Sequence, residues 1–306
     1  MKLATTTSVL SRHADIAPQD ALFAEMVLCR EAGFTSLDLR LSSQAKRGYP
    51  LEGNDWERWA EKIGLEAQRL GLDFPQAHAF VYRTAESTDM TLDRPWYEER
   101  IRRSIRVAGM LNIPWIVIHP ADFSSDDTYD FEKNRSFNLA YWAPFVDLAI
   151  QCGVGIAFEN LYPSGRLPKR YCSDFHELMD LADAFGTEHV GICWDTGHAA
   201  IAGQDQPAAF CAIGSRLKAL HIHDNHQRTK GDEHMIPYFG TLNWNKILQA
   251  ISETGYDGAF AFEIKQGSAM LPPEMTKNML SCIYQLGLCM TDRIKNCAGR
   301  SISLCG

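Results

Sequence analysis

The sequence predicts an α/β protein folded as a (β/α)8 barrel in one domain. Three observations predict it. Short apolar or β-branched runs alternate with amphipathic stretches from one end of the chain to the other. The runs recur every ~35–40 residues, which is the length of one βα unit. No G-x-G-x-x-G or P-loop follows the first run, as a doubly wound nucleotide-binding sheet would carry. With no linker, low-complexity tract or charge block, residues 1–306 read as a single domain. The barrel covers about 1–267 and a helical C-terminal extension covers about 268–306.

Eight strands are predicted: Leu3–Thr7, Ser36–Leu41, Leu72–His78, Trp115–His119, Gly155–Glu159, Val190–Asp195, Ala219–His223 and Gly258–Ile264. Helices fill the gaps. Asp55–Leu70 puts Trp56, Trp59, Ile63, Ala67 and Leu70 on one stripe, with Gly71 to close it. Ser173 reads as the N-cap of a helix carrying Phe175, Leu178, Ala182 and Phe185, ended by Gly186. Asn243 caps a helix with Trp244, Ile247, Leu248 and Ile251, ended by Gly255. Less marked helical patterns cover Pro18–Ala32, Pro95–Met110, Phe131–Gln151, Pro207–Ile213 and Pro272–Leu288. In the tail, Met279, Ile283, Leu286 and Met290 keep helical spacing, so this segment packs on the barrel or on a partner chain.

Composition narrows the function. With 30 Lys and Arg against 38 Asp and Glu, the net charge is −8, which disfavours a nucleic-acid partner. Nine cysteines, an odd number with no C-x-x-C pair, read as reduced and mostly buried thiols of a cytoplasmic protein. The opening MKLATTTSVL is a poor signal peptide and a good first strand. No run of about 18 apolar residues exists, so no membrane span is expected.

The chemistry lies at the strand ends. Strand three ends in His78, four in His119, five in Glu159, and six in Asp195 with His198 beyond it. Strand seven ends in His221 and His223 with Asp224, and strand eight carries Glu263. In a (β/α)8 barrel these C-terminal ends converge on the face that holds the active site. One histidine on an apolar strand is ordinarily a satisfied core residue. Six such strand ends together are not six coincidences. So many ionisable groups in one apolar mouth need a cation to pair them. Imidazole and carboxylate suit zinc, manganese, cobalt or iron rather than calcium. Other residues read as bland: His176 as exposed, His189 on the opposite face, His13 and His226 in loops. Trp115 reads as core or pocket wall, and Trp194, beside Asp195, has the better claim to the pocket.

The motifs GICWDTGHAAIAG, ALHIHDN and DEHMIPYFGTLNWNKILQAISETGYDGAFAFEI resemble those of the xylose isomerase-like TIM-barrel superfamily. Its members include sugar and sugar-phosphate isomerases and epimerases, sugar-acid dehydratases, and endonuclease IV. The resemblance spans roughly residues 70–265. In the isomerase and epimerase branch it implies one divalent metal, manganese or zinc first and cobalt or magnesium next. By that likeness Glu159, Asp195, His221 and Glu263 hold the metal. Glu159 and Glu263 are also the catalytic acid/base pair, and His198 touches substrate. Endonuclease IV holds three zinc ions with nine ligands, and this chain has a match at each: His78, His119, Glu159, Asp195, His198, His221, Asp232, His234 and Glu263. A second metal or the substrate is therefore expected at His78, His119, His198, His223, Asp232 and His234.

The resemblance implies a metal-dependent isomerase or epimerase of a small sugar or sugar phosphate, working through an enediolate in cytoplasmic carbohydrate metabolism. A sugar-acid dehydratase and a trinuclear zinc phosphodiesterase stand as alternatives. Lys46, Arg47, Arg166, Lys169, Arg170, Arg228 and Lys230 in the strand-end loops are candidates for a substrate phosphate or acid, or for solvated surface charge. No membrane partner is expected, and homo-oligomerisation stays open.

Overall fold

The computed structural model describes residues 1–9, 17–80, 94–122, 129–163, 169–226, 231–265 and 271–297. Its strands are β1 (Lys2–Thr6), β2 (Ser36–Arg40), β3 (Asp73–His78), β4 (Trp115–Ile118), β5 (Gly155–Glu159), β6 (Val190–Asp195), β7 (Leu217–His221) and β8 (Ala259–Phe262). Every paired neighbour is parallel, in the order β7-β6-β5-β4-β3-β2-β1-β8. The two ends meet just above β7. Ile222 bridges Phe262, and its N–H donates to the Ala261 carbonyl at 2.8 Å. The predicted (β/α)8 TIM barrel is therefore the fold.

All the predicted strands form, with ends moved by two residues at most. The largest shift is at β7, which stops at His221. Beyond it the His223 N–H leaves the ladder and donates to Thr196 Oγ1 at 3.1 Å.

The helices are α1 (Pro18–Ala32), α2 (Trp56–Leu70), α3 (Arg94–Met110), α4 (Phe131–Gln151), α5 (Phe175–Ala184), α6 (Thr196–Ala202), α7 (Gln206–Ile213), α8 (Trp244–Glu253) and α9 (Pro273–Cys297). The predicted stripe of α2 is buried at Trp56, Trp59, Ile63 and Ala67, and Gly71 ends the helix at φ 64°. The cap of α5 is Asp174, not Ser173: the Asp174 carboxylate accepts the His176 N–H at 2.8 Å, while the Ser173 hydroxyl donates to the Arg170 carbonyl. Asn243 caps α8 by accepting the Lys246 N–H. Helix α6 has too few turns to show a period in the sequence. α9 runs nine residues past the predicted Leu288 and packs against α1, α8 and β1, in the place of the eighth outer helix.

Side chains alternate along each strand. One set faces the helices and builds the main core. The other faces the barrel axis, where Val117, Ala157, Cys193 and Ala219 form a separate cluster and Ala4, Ala259 and Ala261 another. Small residues suit this narrow interior. Trp194 belongs to the outer set. It is fully buried against Phe210 of α7, and its indole N–H donates to Gln206, so it does not line the pocket as the sequence suggested.

The thiol expectation needs one correction. Cys29, Cys172 and Cys193 are free and buried, but Cys282 and Cys289 are free and exposed, and Cys211 is disulfide-bonded. Among the described residues no helix is long and apolar enough to cross a membrane.

Candidate metal centre and active site

The alternation that fills the barrel with small residues delivers polar ones to its C-terminal mouth. Two residues above Ala157, Cys193, Ala219 and Ala261 stand Glu159, Asp195, His221 and Glu263. Their ligand atoms all lie within 4.8 Å of one another, and all four residues are buried. His221 Nδ1 is central: it is 2.9 Å from Glu159 Oε1, 3.4 Å from Glu263 Oε2 and 4.0 Å from Asp195 Oδ2. Three carboxylates around one imidazole nitrogen form a cage of the size and donor chemistry of a divalent cation site.

Two further groups flank the cage. His78, His119 and Glu159 converge on one side. Glu159 Oε2 lies 2.8 Å from His119 Nε2 and 3.2 Å from His78 Nε2. Each oxygen of this carboxylate thus faces a different group of donors. On the other side His223, His234 and Glu263 converge. There Asp232 Oδ2 sits 2.7 Å from His234 Nε2 and 3.6 Å from His198 Nε2. His223 Nε2 approaches Asp195 at 2.9 Å. Every predicted site residue therefore reaches the same mouth.

The imidazoles are oriented by the groups behind them. Nδ1 of His78 pairs with the Ala79 carbonyl at 2.9 Å, that of His198 with the Asn160 carbonyl at 2.9 Å, and that of His234 with the Glu263 carbonyl at 2.8 Å. A ring that donates Nδ1–H to a carbonyl presents the Nε2 lone pair to the site, which is how metal-binding histidines are commonly held. Asn160 also locks β5 to β6, accepting the Asp195 N–H at 2.7 Å and donating to the Asp195 carbonyl. Asp195 in turn caps α6 through the His198 N–H at 2.7 Å. The Asp-x-x-His spacing thus comes from a carboxylate at a strand end that also starts a helix. Gly197, between them, lets the His223 ring pass: a Cβ there would stand 1.9 Å from His223 Cε1.

Burial opposes charge throughout this mouth, and at Glu159, Glu263, His198, His221 and His223 the neighbours overrule it. Burial would raise the Glu159 carboxyl, yet His221 and His119 hold it well below the usual carboxylate range. Glu263 is held down likewise, by Lys265 and Arg40 ahead of His234 and His221. Burial would discharge His221, but Cys193, Glu159 and Glu263 raise it well above the usual imidazole range. His198 is raised to about 10 against burial by Asp195, Asp232 and Glu159. His119 goes the other way, because burial outweighs Glu159.

The structure adds site residues that sequence reasoning missed. Arg40, at the end of β2, pairs with Glu263 Oε1, and Lys265 reaches the same oxygen at 3.0 Å and His234 Nε2 at 2.7 Å. Asp38 Oδ2 meets His221 Nε2 at 3.0 Å. A signal was present. In S-L-D-L-R the leucines take one face and Ser36, Asp38 and Arg40 the other. Asp224 has a different job. It accepts N–H groups from Asn225, Tyr238 and Leu242 and the indole N–H of Trp244, which ties down the segment that carries Asp232 and His234.

The loop charges divide. Lys46 lies over Tyr49 and Arg47 over Trp96, while Lys169 pairs with Glu177 and Arg170 with Asp122. Arg166, Arg228, Lys230 and His13 lie outside the described residues. His176 is exposed, as expected, and His226 pairs with Glu233. A cleft of about 870 Å³ opens at the other end of the barrel, lined by Lys2, Asp73, Trp115, Lys218 and Tyr256 among others. The groups able to hold a metal among the described residues lie at the mouth instead, where this fold places its chemistry.

Fold and mouth together define an α/β barrel with a buried imidazole–carboxylate centre. The chain belongs to the xylose isomerase-like TIM barrel family, whose model matches residues 26–286. It is 30% identical to the uncharacterised protein y4fM of Sinorhizobium fredii, over 77% of this chain and 78% of that one. It is 26% identical to an inosose dehydratase of Lacticaseibacillus casei, over 42% of this chain and 46% of that one. It is 27% identical to a D-psicose 3-epimerase of Enterocloster bolteae, over 49% and 47% of the two chains. Among solved structures, an L-ribulose 3-epimerase superposes with a TM-score of 0.72 at 15% identity, covering 98% of both chains. A zinc-bound IOLI protein superposes with a TM-score of 0.71 at 13% identity, over 98% of this chain and 100% of that one.

Proposed function

We propose that this chain is a divalent-metal-dependent isomerase or epimerase of a small sugar or sugar phosphate. The observation that carries the reading is the cage of Glu159, Asp195, His221 and Glu263, four buried donors within 4.8 Å of one another at the mouth of the barrel. The donor set has nitrogen and oxygen but no thiolate, which suits manganese or zinc, with cobalt or magnesium next. The zinc in the superposed IOLI protein and the sugars named in the relatives support the same reading. Cytoplasmic carbohydrate metabolism goes with it.

A bound metal supplies a positive charge that stabilises an oxyanion developing on the substrate. The chain's own residues do the rest. Glu159 and Glu263 face the cage from β5 and from just beyond β8, and both are held ionised, so each can accept a proton. One takes the proton from the carbon beside the carbonyl, leaving an enediolate. That proton passes to solvent, and the other glutamate, once it has taken up a proton from solvent, delivers it to the neighbouring carbon or to the opposite face. His198 stands beside both the cage and Asp232, placed to meet a substrate hydroxyl. An inosose dehydratase among the relatives keeps dehydration after the same proton abstraction within the proposal.

A second reading rests on the flanking groups. Glu159 is shared with His78 and His119, while Asp232 lies between His198 and His234, so the mouth has donors for two more ions. That arrangement would suit a trinuclear zinc phosphodiesterase. Metal content of protein purified without added metal or chelator separates the two. Near one ion per chain, together with exchange of a sugar C–H for solvent deuterium, supports the isomerase. Three zinc ions with cleavage of an abasic duplex would replace it with the phosphodiesterase.

A further inference from the structure

The barrel interior below the mouth is lined with small apolar residues at Ala4, Val117, Ala157, Cys193, Ala219 and Ala261. Two strands depart from this pattern. β2 places Asp38 there and β3 places Gln76, paired neighbours in the sheet, and both are buried. Burying a carboxylate is strongly unfavourable unless its partners offset the lost hydration. In the sheet Asp38 lies between Thr6 of β1 and Gln76 of β3, both buried.

The contacts show what the pair holds. Gln76 crosses the barrel to β7, donating from Nε2 to the Leu220 carbonyl at 3.2 Å and accepting the Leu220 N–H at 3.4 Å. The same Nε2 donates to Asp38 Oδ2 at 3.0 Å. That oxygen lies 3.0 Å from His221 Nε2, while Asp38 Oδ1 has no hydrogen-bond partner. Both partners of the carboxylate thus converge on the one oxygen that faces His221. His221 is also oriented differently from three other histidines of the mouth. Its Nε2 points down to Asp38 and its Nδ1 up into the cage, whereas His78, His198 and His234 turn Nδ1 to a backbone carbonyl.

We infer that Asp38, braced by Gln76, is a positioning residue for the metal centre: it fixes the Nε2–H form of His221 and thereby aims the Nδ1 lone pair at the cation. A carboxylate on the far nitrogen also raises the basicity of the ligating one, which a carbonyl does less strongly. The inference rests on the metal-binding reading above.

The test compares wild type with Asp38→Asn and Asp38→Ala. The readouts are zinc and manganese affinity by competition with a chelating dye, and the melting temperature of each metal-free protein. Asn keeps the shape and removes the charge, so affinity is expected to fall about 10-fold, and Ala, which also frees the ring, about 100-fold. A Gln76→Ala variant, which leaves the carboxylate but removes its brace, should fall between wild type and Asp38→Ala. If the Asp38 variants melt lower yet bind metal as wild type does, Asp38 is only structural and the inference is overturned. Wild type that takes up no metal defeats the metal-centre reading itself, a result distinct from equal affinities across the series.

Discussion

Metal binding at this centre should be a proton exchange, and its size follows from the cage. Of Glu159, His221 and Glu263, only His221 must lose a proton to bind a cation. Glu159 and Glu263 are already held ionised well below the usual carboxylate range. His221 is held charged well above the usual imidazole value, so at neutral pH its proton competes with the metal. One competing proton makes affinity tighten about tenfold per pH unit, about 1.4 kcal/mol. From about pH 6 to about pH 8 the dissociation constant should therefore fall about 100-fold. Calorimetry in buffers of different ionisation enthalpy counts the protons directly, and close to one per metal is expected. A slope well above one signals that His198 and His223, also raised, surrender protons to further ions. An affinity independent of pH over this range refutes the argument.

The same charges act on the metal-free fold. Imidazoles with raised folded values contribute stability in full below their unfolded value of about 6.5, and lose it as pH rises through the folded value. For His198 that loss begins near pH 6.5 and is nearly complete by about 10. The lowered carboxyls contribute above about 4.5 and lose it as pH falls. Metal-free protein should thus be most resistant to urea between about pH 4.5 and about pH 6.5, and the stabilisation by metal should grow toward alkaline pH.

Glu159→Gln or Glu263→Gln should remove turnover, by about 10²-fold or more, without loss of the folded circular-dichroism spectrum; full activity in either variant sinks the proposed proton transfers. Gly197→Ala drives a Cβ into the His223 ring and should cost about 1–3 kcal/mol as well as activity. Urea unfolding of that variant at wild-type stability contradicts the contact. Asp224→Ala orphans N–H groups of Asn225, Tyr238 and Leu242 and the Trp244 indole, and at about 1–3 kcal/mol for each buried one should cost about 3 kcal/mol or more. Limited proteolysis should then cut near residues 225–243 before the barrel opens.

Much of this protein was legible in its sequence because a parallel barrel repeats a short pattern. Each strand is an apolar run between turn signals, and each long helix is a stripe of period 3.6. The helices α1 and α4 and the strands β5 and β6 have the predicted ends. The polar residues of strands three to eight stood out because they end apolar runs. Helix α6 was missed because it is short and its first turn serves the site through Asp195. Trp194 was misjudged because a strand's neighbours in sequence face opposite sides, so proximity to Asp195 argued against the pocket rather than for it.

What the sequence by itself determined is the alternation of strands and helices and the kinds of donor at the strand ends. Both are local properties, set by side-chain periodicity and turn chemistry. Which nitrogen of His221 meets the cage, which cations hold Glu263, and why β2 carries Asp38 were decided only by tertiary structure. Those contacts cross the barrel between residues far apart in the chain, such as Asp38 with His221 and Arg40 with Glu263. Their geometry exists only once the ring of strands has closed.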